Sequence, residues 1–383
     1  MKLSKKALEI PPSGIRVFFD MVLQMKDVIS LGVGEPDFVT PWNIRESAIY
    51  SLEQGYTSYT SNKGMIELRR EIAKHLWRKH KLEYDPEEEI LITVGVSEAY
   101  DLAIRALINP GDKIIIPIPS YVAYGPIVTL QGGVPVYITT KHEGGFKITP
   151  KDIRKAVDKK TKALLLNYPS NPTGASYTKK ELTAIANTAK ELGLLVITDE
   201  VYGELTYDFK HTAFATLANT KDSTLYLDGF SKAYAMTGWR VGYACGPRDI
   251  IATMTKIHQY TIMCVSISSQ IAAIEALRSA DKSISEMKKE YRRRRAFIVS
   301  ELNRIGLTCH KPQGAFYAFP SIRKYGLNCV DFASELLKKE KVAVVPGVAF
   351  DPTADYHVRM SYASSLENIK EALIRIERFL KTL

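Results

Sequence analysis

From about residue 89 to residue 245, short apolar runs rich in β-branched residues alternate with segments of helical period. That alternation restricts the fold more than any other feature of the chain. Strand-like runs are read at 89–94, 113–118, 134–138, 163–166, 194–198, 224–227 and 240–244, with helices at 97–107, 121–130 and 179–191 among them. Strands that are apolar throughout, rather than alternating, must be buried on both faces. Helices between them supply the crossovers that parallel neighbours need. The expected architecture is therefore α/β, with a mostly parallel seven-stranded sheet covered by helices.

The flanks read differently. Residues 1–45 are irregular and rich in Gly and Pro, while from about residue 284 a long basic helix leads into short mixed elements and a closing helix at 366–380. This pattern predicts a large domain over 46–283 and a smaller α+β domain built from both chain ends, 1–45 and 284–383. The chain has 383 residues and is 45% apolar, enough for a sizeable core, and shows no repeat or low-complexity tract.

Charge and cysteine usage narrow the function. The balance of 52 basic and 42 acidic residues gives +10, and six of the basic residues fall in one run, Lys288-Lys289-Glu290-Tyr291-Arg292-Arg293-Arg294-Arg295. We read that run as a solvated helix with Glu286 and Glu290 as i,i+4 partners. No nucleic-acid-binding signature accompanies it, and small anionic ligands suit a basic chain equally well. The four cysteines lie far apart with no C-x-x-C pair, so neither a disulfide framework nor a metal site is expected, and a cytoplasmic location fits. Ile114 to Thr140 carries no charge, but Pro117, Pro119, Pro126 and Pro135 prevent it from forming one membrane helix. Met1 to Lys6 is basic and lacks a following apolar core, so it does not read as a signal peptide.

In open α/β sheets, ligands bind beyond the carboxyl ends of the strands. Several polar constellations fall there. Thr93-Val94-Gly95-Val96-Ser97-Glu98-Ala99 is a strand, a Gly turn and a helix start, whose free N–H groups suit an anion. It reads equally as an ordinary turn capped by Ser97. Asn167-Tyr168-Pro169-Ser170-Asn171-Pro172-Thr173-Gly174 is a loop stiff enough to aim an Asn side chain, with a cis peptide expected before Pro172. Asp199-Glu200-Val201-Tyr202 follows an apolar strand, where an Asp either caps a helix or pairs with a cation. In Ser231-Lys232-Ala233-Tyr234-Ala235-Met236-Thr237-Gly238-Trp239-Arg240-Val241-Gly242, a lysine lies among apolar and aromatic residues. Burial disfavours its charged form and makes a nucleophilic amine available.

With these motifs in this order, the chain resembles the class I pyridoxal-phosphate-dependent aminotransferases of the aspartate aminotransferase fold. The resemblance runs from Gly32-Val33-Gly34-Glu35-Pro36-Asp37 to Arg359-Met360-Ser361-Tyr362-Ala363. It implies pyridoxal 5'-phosphate as cofactor, with Lys232 forming the Schiff base, Asp199 pairing with the pyridine nitrogen, and Tyr202 and Asn171 bonding the phenolic oxygen. Tyr121 stacks on the ring. Val96, Ser97, Ser231 and Arg240 cradle the phosphate, with Tyr59 reaching it from the partner of a homodimer. Arg359 binds the substrate α-carboxylate beside Gly34.

The implied reaction is transamination, in a ping-pong cycle through an internal aldimine, between an L-amino acid and a 2-oxo acid such as 2-oxoglutarate. A lyase of the same fold would use the same lysine and remains a rival reading. A regulatory protein with a degenerate aminotransferase-like domain is a second, and the stretch before Gly32 is expected to leave no room for the helix-turn-helix domain such proteins append. Two departures bear on specificity. Gly229 stands where many relatives have a phosphate-binding serine, and Ser97 stands where aspartate-specific members carry a lysine. A distal carboxylate then depends on Arg16 or on Lys63 from the partner chain, and Tyr124 offers an aromatic wall. Acidic and aromatic donors are both expected.

Overall fold

The computed structural model describes residues 3–12, 14, 25–217 and 219–383. Seven strands form the main sheet: β1 (Ile90–Thr93), β2 (Lys113–Ile118), β3 (Val134–Thr139), β4 (Thr161–Asn167), β5 (Leu195–Asp199), β6 (Thr224–Gly229) and β7 (Gly242–Cys245). Their spatial order is β1-β7-β6-β5-β4-β2-β3. All neighbours are parallel except β7, which runs antiparallel to both β1 and β6. The expected α/β class and seven-stranded, mostly parallel sheet are therefore present.

Burial explains the strand composition. On one side, Leu91, Ile114, Ile116, Leu165, Ile197 and Leu225 pack with the helix Gly95–Leu107. On the other, Ile115, Leu164, Leu166 and Val196 pack with the helix Lys179–Glu191, which a Thr178–Glu181 capping box starts. Each fully buried aliphatic side chain contributes roughly 1.5–3 kcal/mol.

A second body of packing gathers Leu31 with the helices Asp281–Arg304, Cys329–Glu340 and Leu366–Leu380. Both chain ends meet there, since Ile29–Ser30 pairs in parallel with Val342–Ala343. A small antiparallel sheet, Val345–Pro346, Val358–Ser361 and Tyr317–Ala318, completes it. The closing helix buries Ile369, Ala372, Leu373, Ile376 and Phe379, which is one face at helical spacing.

Three local readings are corrected. The stretch up to residue 45 is not irregular throughout: a helix starts at Trp42 and runs to Glu53. The helix expected from residue 121 spans Tyr124–Leu130, with Pro126 in its first turn, where a missing N–H costs nothing. The basic run is not simply solvated. Glu290 does pair with Arg294, but Arg294 also reaches Asp37 at 2.8 Å, and Arg295 meets Asp208 at 2.7 Å. Both arginines are buried, at 7% and 2% exposure, because each has a carboxylate waiting on another segment.

Candidate active site

Topology brings the polar constellations to one edge. β1, β4, β5 and β6 all end there, at Thr93, Asn167, Asp199 and Gly229. β7 is reversed and begins at that edge, so Arg240, two residues before it, arrives beside them. Register aligns Asn167 with Asp199, and Gly229 with Gly242. The second packing body closes the other side with Arg359 on its small sheet and with the loop through Gly34.

Between them lies a cavity of about 850 Å³. Its walls include Gly34, Val96, Ser97, Tyr121, Asn171, Asp199, Tyr202, Ser231, Lys232, Arg240 and Arg359. Three residues named from the sequence are not among the described walls. Tyr59 stands 81% exposed on the surface, and Arg16 lies outside the described residues. Lys63 is likewise absent from the lining: its ammonium donates to the Glu87 carbonyl at 2.8 Å and lies 3.6 Å from Glu88.

Lys232 Nζ donates to the Gly34 carbonyl at 2.7 Å. Burial lowers its pKa to about 8, with Arg359 and Arg240 acting in the same direction and Glu35 opposing. Burial also pushes the Asp199 carboxyl up to about 6, against hydrogen bonds from Tyr124 and the Val201 amide. Tyr124 donates its hydroxyl to Asp199 Oδ2 at 2.6 Å, so this residue is more than an aromatic wall. Asp199 Oδ1 accepts from Val201 N at 3.2 Å, a local turn bond rather than a helix cap, while Oδ2 is the atom that Tyr124 holds.

Asn171 Oδ1 accepts from Arg359 Nη1 at 2.9 Å, and Arg359 Nη2 donates to the Gly32 carbonyl. The peptide before Pro172 is cis as expected; those before Pro119 and Pro169 are cis as well. Ser97 makes no capping bond; Glu98 instead accepts from the Val94 amide. Gly95 has φ +76°, and a Cβ there would sit 2.7 Å from the Arg240 guanidinium, so only glycine leaves that helix start open. At Gly229 a Cβ would lie 3.0 Å from Val96 Cγ2 and 3.1 Å from the Gly242 backbone, so a serine there would need its neighbours to give by a few tenths of an ångström.

Sequence reasoning missed Asn167 and Tyr317 as site residues. Asn167 ties the loop to the strand end, accepting from Asn171 N and donating to the Asp199 carbonyl, both at 3.1 Å. Its place at the strand end was the available signal. Tyr317, within Gly314-Ala315-Phe316-Tyr317, looks like core and carries no polar pattern.

The fold and this constellation together define a class I aminotransferase of the aspartate aminotransferase type. Residues 26–376 match the family model for aminotransferase class I and II, and the chain belongs to that family. It is 53% identical to YugH of Bacillus subtilis (strain 168), to which only the general class of aminotransferase is ascribed, over 99% of this chain and 98% of that one. It is 44% identical to the aspartate aminotransferase of Pyrococcus abyssi (strain GE5 / Orsay), over 100% and 99% of the two chains. The crystal structure of an aromatic aminotransferase from Pyrococcus horikoshii OT3 superposes with a TM-score of 0.91 at 43% identity, covering 95% of this chain and 99% of that one. The chain is thus an enzyme, a transferase, of a family that works on amino acids and keto acids with pyridoxal phosphate. Among the described residues no helix is long and apolar enough to cross a membrane.

Proposed function

We propose that this chain transfers an amino group between an L-amino acid, acidic or aromatic, and a 2-oxo acid such as 2-oxoglutarate, with pyridoxal 5'-phosphate held in the cavity. The observation that carries the reading is Lys232: a partly buried amine with its pKa lowered to about 8, aimed into a cavity that also presents Asp199, Arg240 and Arg359. The residues fit the cofactor. Gly95 and Arg240 leave an open, cationic helix start for a phosphate, and Arg359 Nε is buried without a partner, as a carboxylate fork would require.

When bound, the cofactor supplies an aldehyde and an electron-withdrawing ring. Lys232 Nζ would provide the amine that holds it and, once freed, would carry the proton from the substrate α-carbon to the carbon that had been the aldehyde, acting as base and then acid. Asp199, whose carboxylate Tyr124 orients, would pair with the ring nitrogen. Tyr202 and Asn171 would donate to the phenolic oxygen. Arg359 grips the α-carboxylate with a planar fork that lysine could not reproduce, and so fixes the direction of the α-C–H bond.

The donor range rests on the lining. Tyr100, Tyr121, Tyr124 and Ile127 offer an aromatic and apolar wall, and among the described lining residues the cations are Lys232, Arg240 and Arg359. A distal carboxylate must therefore look beyond these, to Arg16 or a partner chain. Relatives named for aspartate and for aromatic amino acids are similar in identity, which supports both classes. The test is a panel of aspartate, glutamate, tyrosine and phenylalanine with 2-oxoglutarate, in wild type and in Arg16→Ala and Lys63→Ala. Turnover of acidic and aromatic donors is expected. Aspartate used alone, unaffected by either change, contradicts the donor range, and ammonia released without a 2-oxo acid points to a lyase instead.

The lowered pKa predicts how the cofactor-free protein takes up pyridoxal phosphate. Only the neutral amine attacks an aldehyde, so the rate should rise with pH and level off above about 8 rather than above 10. Stopped-flow absorbance measures it, and a rate still climbing steeply at pH 10 contradicts a buried Lys232.

A homodimer with two shared cavities is also part of this reading. Tyr56 and Tyr59 stand exposed on one segment, and Tyr260, Ile262 and Met263 on another, with Asn62 Nδ2 bonded to the Met263 carbonyl between them. An exposed apolar patch of that kind supports a second copy. Sedimentation should give a dimer, and an active monomer contradicts the arrangement. We place the enzyme in the cytoplasm, where four free thiols suit the reducing conditions. We assign cofactor binding to the domain 46–283, with 1–45 and 284–383 as the smaller domain; the packing body around Leu31 and Ile376, drawn mostly from both chain ends and joined by residues from Val201 to Tyr207, supports this division.

A further inference from the structure

We propose that Tyr317 is a positioning residue: it orients the Tyr202 hydroxyl toward the cavity and seats the Arg359 guanidinium, so one ring fixes two recognition groups. The inference rests on the roles just proposed for Tyr202 and Arg359.

Tyr317 is fully buried on the short strand Tyr317–Ala318, paired with the strand that carries Arg359 through the register Ser361↔Tyr317. Its ring lies 4.6 Å from the Arg359 guanidinium carbon, a cation–π distance. Its hydroxyl is 2.8 Å from the Tyr202 hydroxyl and 3.4 Å from the Gly34 carbonyl. A Cβ on Gly34 would come within 2.8 Å of the same oxygen, so the phenol also defines how closely that backbone approaches.

Only one proton can lie between the two hydroxyls. Tyr317 has two candidate acceptors, and the Gly34 carbonyl, which already accepts from Lys232 at 2.7 Å, is the more distant one. Once Tyr202 gives its own proton to an oxygen in the cavity, only Tyr317 can donate across the 2.8 Å contact. That donation fills a lone pair on Tyr202 and leaves that residue's own proton free to point into the cavity. A hydroxyl that accepts one hydrogen bond also donates a stronger one. Burial raises the pKa of both phenols, so each remains a donor at neutral pH.

Two substitutions separate the two contributions. Tyr317→Phe removes the hydroxyl and keeps the ring; Tyr317→Leu removes both. In the cofactor-loaded protein, Tyr317→Phe should raise the pH midpoint of the visible absorbance by about half to one unit, because Tyr202 stabilises an anionic oxygen less well. It should lower kcat while leaving KM for the amino donor within about twofold, and Tyr317→Leu should raise KM roughly tenfold or more as Arg359 loses its seat. In a Tyr202→Phe background the spectral shift caused by Tyr317→Phe should vanish, since the effect passes through Tyr202. An unchanged midpoint in Tyr317→Phe, or an equal shift with and without the Tyr202 hydroxyl, overturns the inference while wild type behaves normally. A wild type with no pH-dependent visible band overturns the cofactor reading and this inference together. If Tyr317→Leu fails to fold, the Tyr317→Phe titration and its double-mutant cycle still decide.

Discussion

Lys232→Ala is expected to abolish transamination, with a loss on the order of 10⁴-fold or more, because one amine supplies both the attachment point and the proton transfer. No other described lysine lines the cavity, so no neighbour can substitute. The variant should still bind pyridoxal phosphate through the cradle of Ser97, Ser231 and Arg240, but without the visible absorbance the wild type develops. Single-turnover kinetics and an absorbance titration measure the two halves of the expectation. Transamination near the wild-type rate would remove Lys232 from the mechanism altogether.

Asp199→Ala should cost roughly 10³-fold in kcat, well beyond Tyr202→Phe, at roughly 10- to 100-fold. Alanine removes the buried carboxylate proposed to pair with the ring nitrogen, and it also strands the Tyr124 hydroxyl, which donates to Asp199 at 2.6 Å. The phenylalanine change removes one hydrogen bond and leaves packing intact. Asp199→Asn makes the comparison sharper, since it keeps the acceptor for Tyr124 but not the charge. Equal small losses in Asp199→Ala and Tyr202→Phe would reduce Asp199 to a turn-capping residue, the alternative that its bond from Val201 N keeps open.

The sheet was readable because its strands are apolar from end to end, a pattern that burial on two faces imposes locally. The cavity residues were readable because they cluster at strand ends, where loop chemistry departs from core chemistry. What escaped depended on partners distant in sequence. Arg294 and Arg295 sit in a run of six basic residues, and only Asp37 and Asp208, on other segments, decide that these two turn inward. Tyr317 lies in an apolar stretch, and its role depends on Tyr202 and Arg359, which no spacing rule connects to it. Tyr124 was placed at the pocket, yet its bond to Asp199 depends on how one helix start abuts a strand end 75 residues on.

The pairing of Ile29–Ser30 with Val342–Ala343 has a consequence for how the enzyme comes into being. On a ribosome adding about 5–20 residues per second, Arg359 emerges roughly 6–25 s after Lys232. During that interval the nascent polypeptide carries Lys232 but not Arg359, and Ile29–Ser30 has nothing to pair with until Val342–Ala343 follows. On the roles proposed above, a chain released in that interval would have neither the carboxylate fork nor the Arg359 charge that helps to lower the Lys232 pKa.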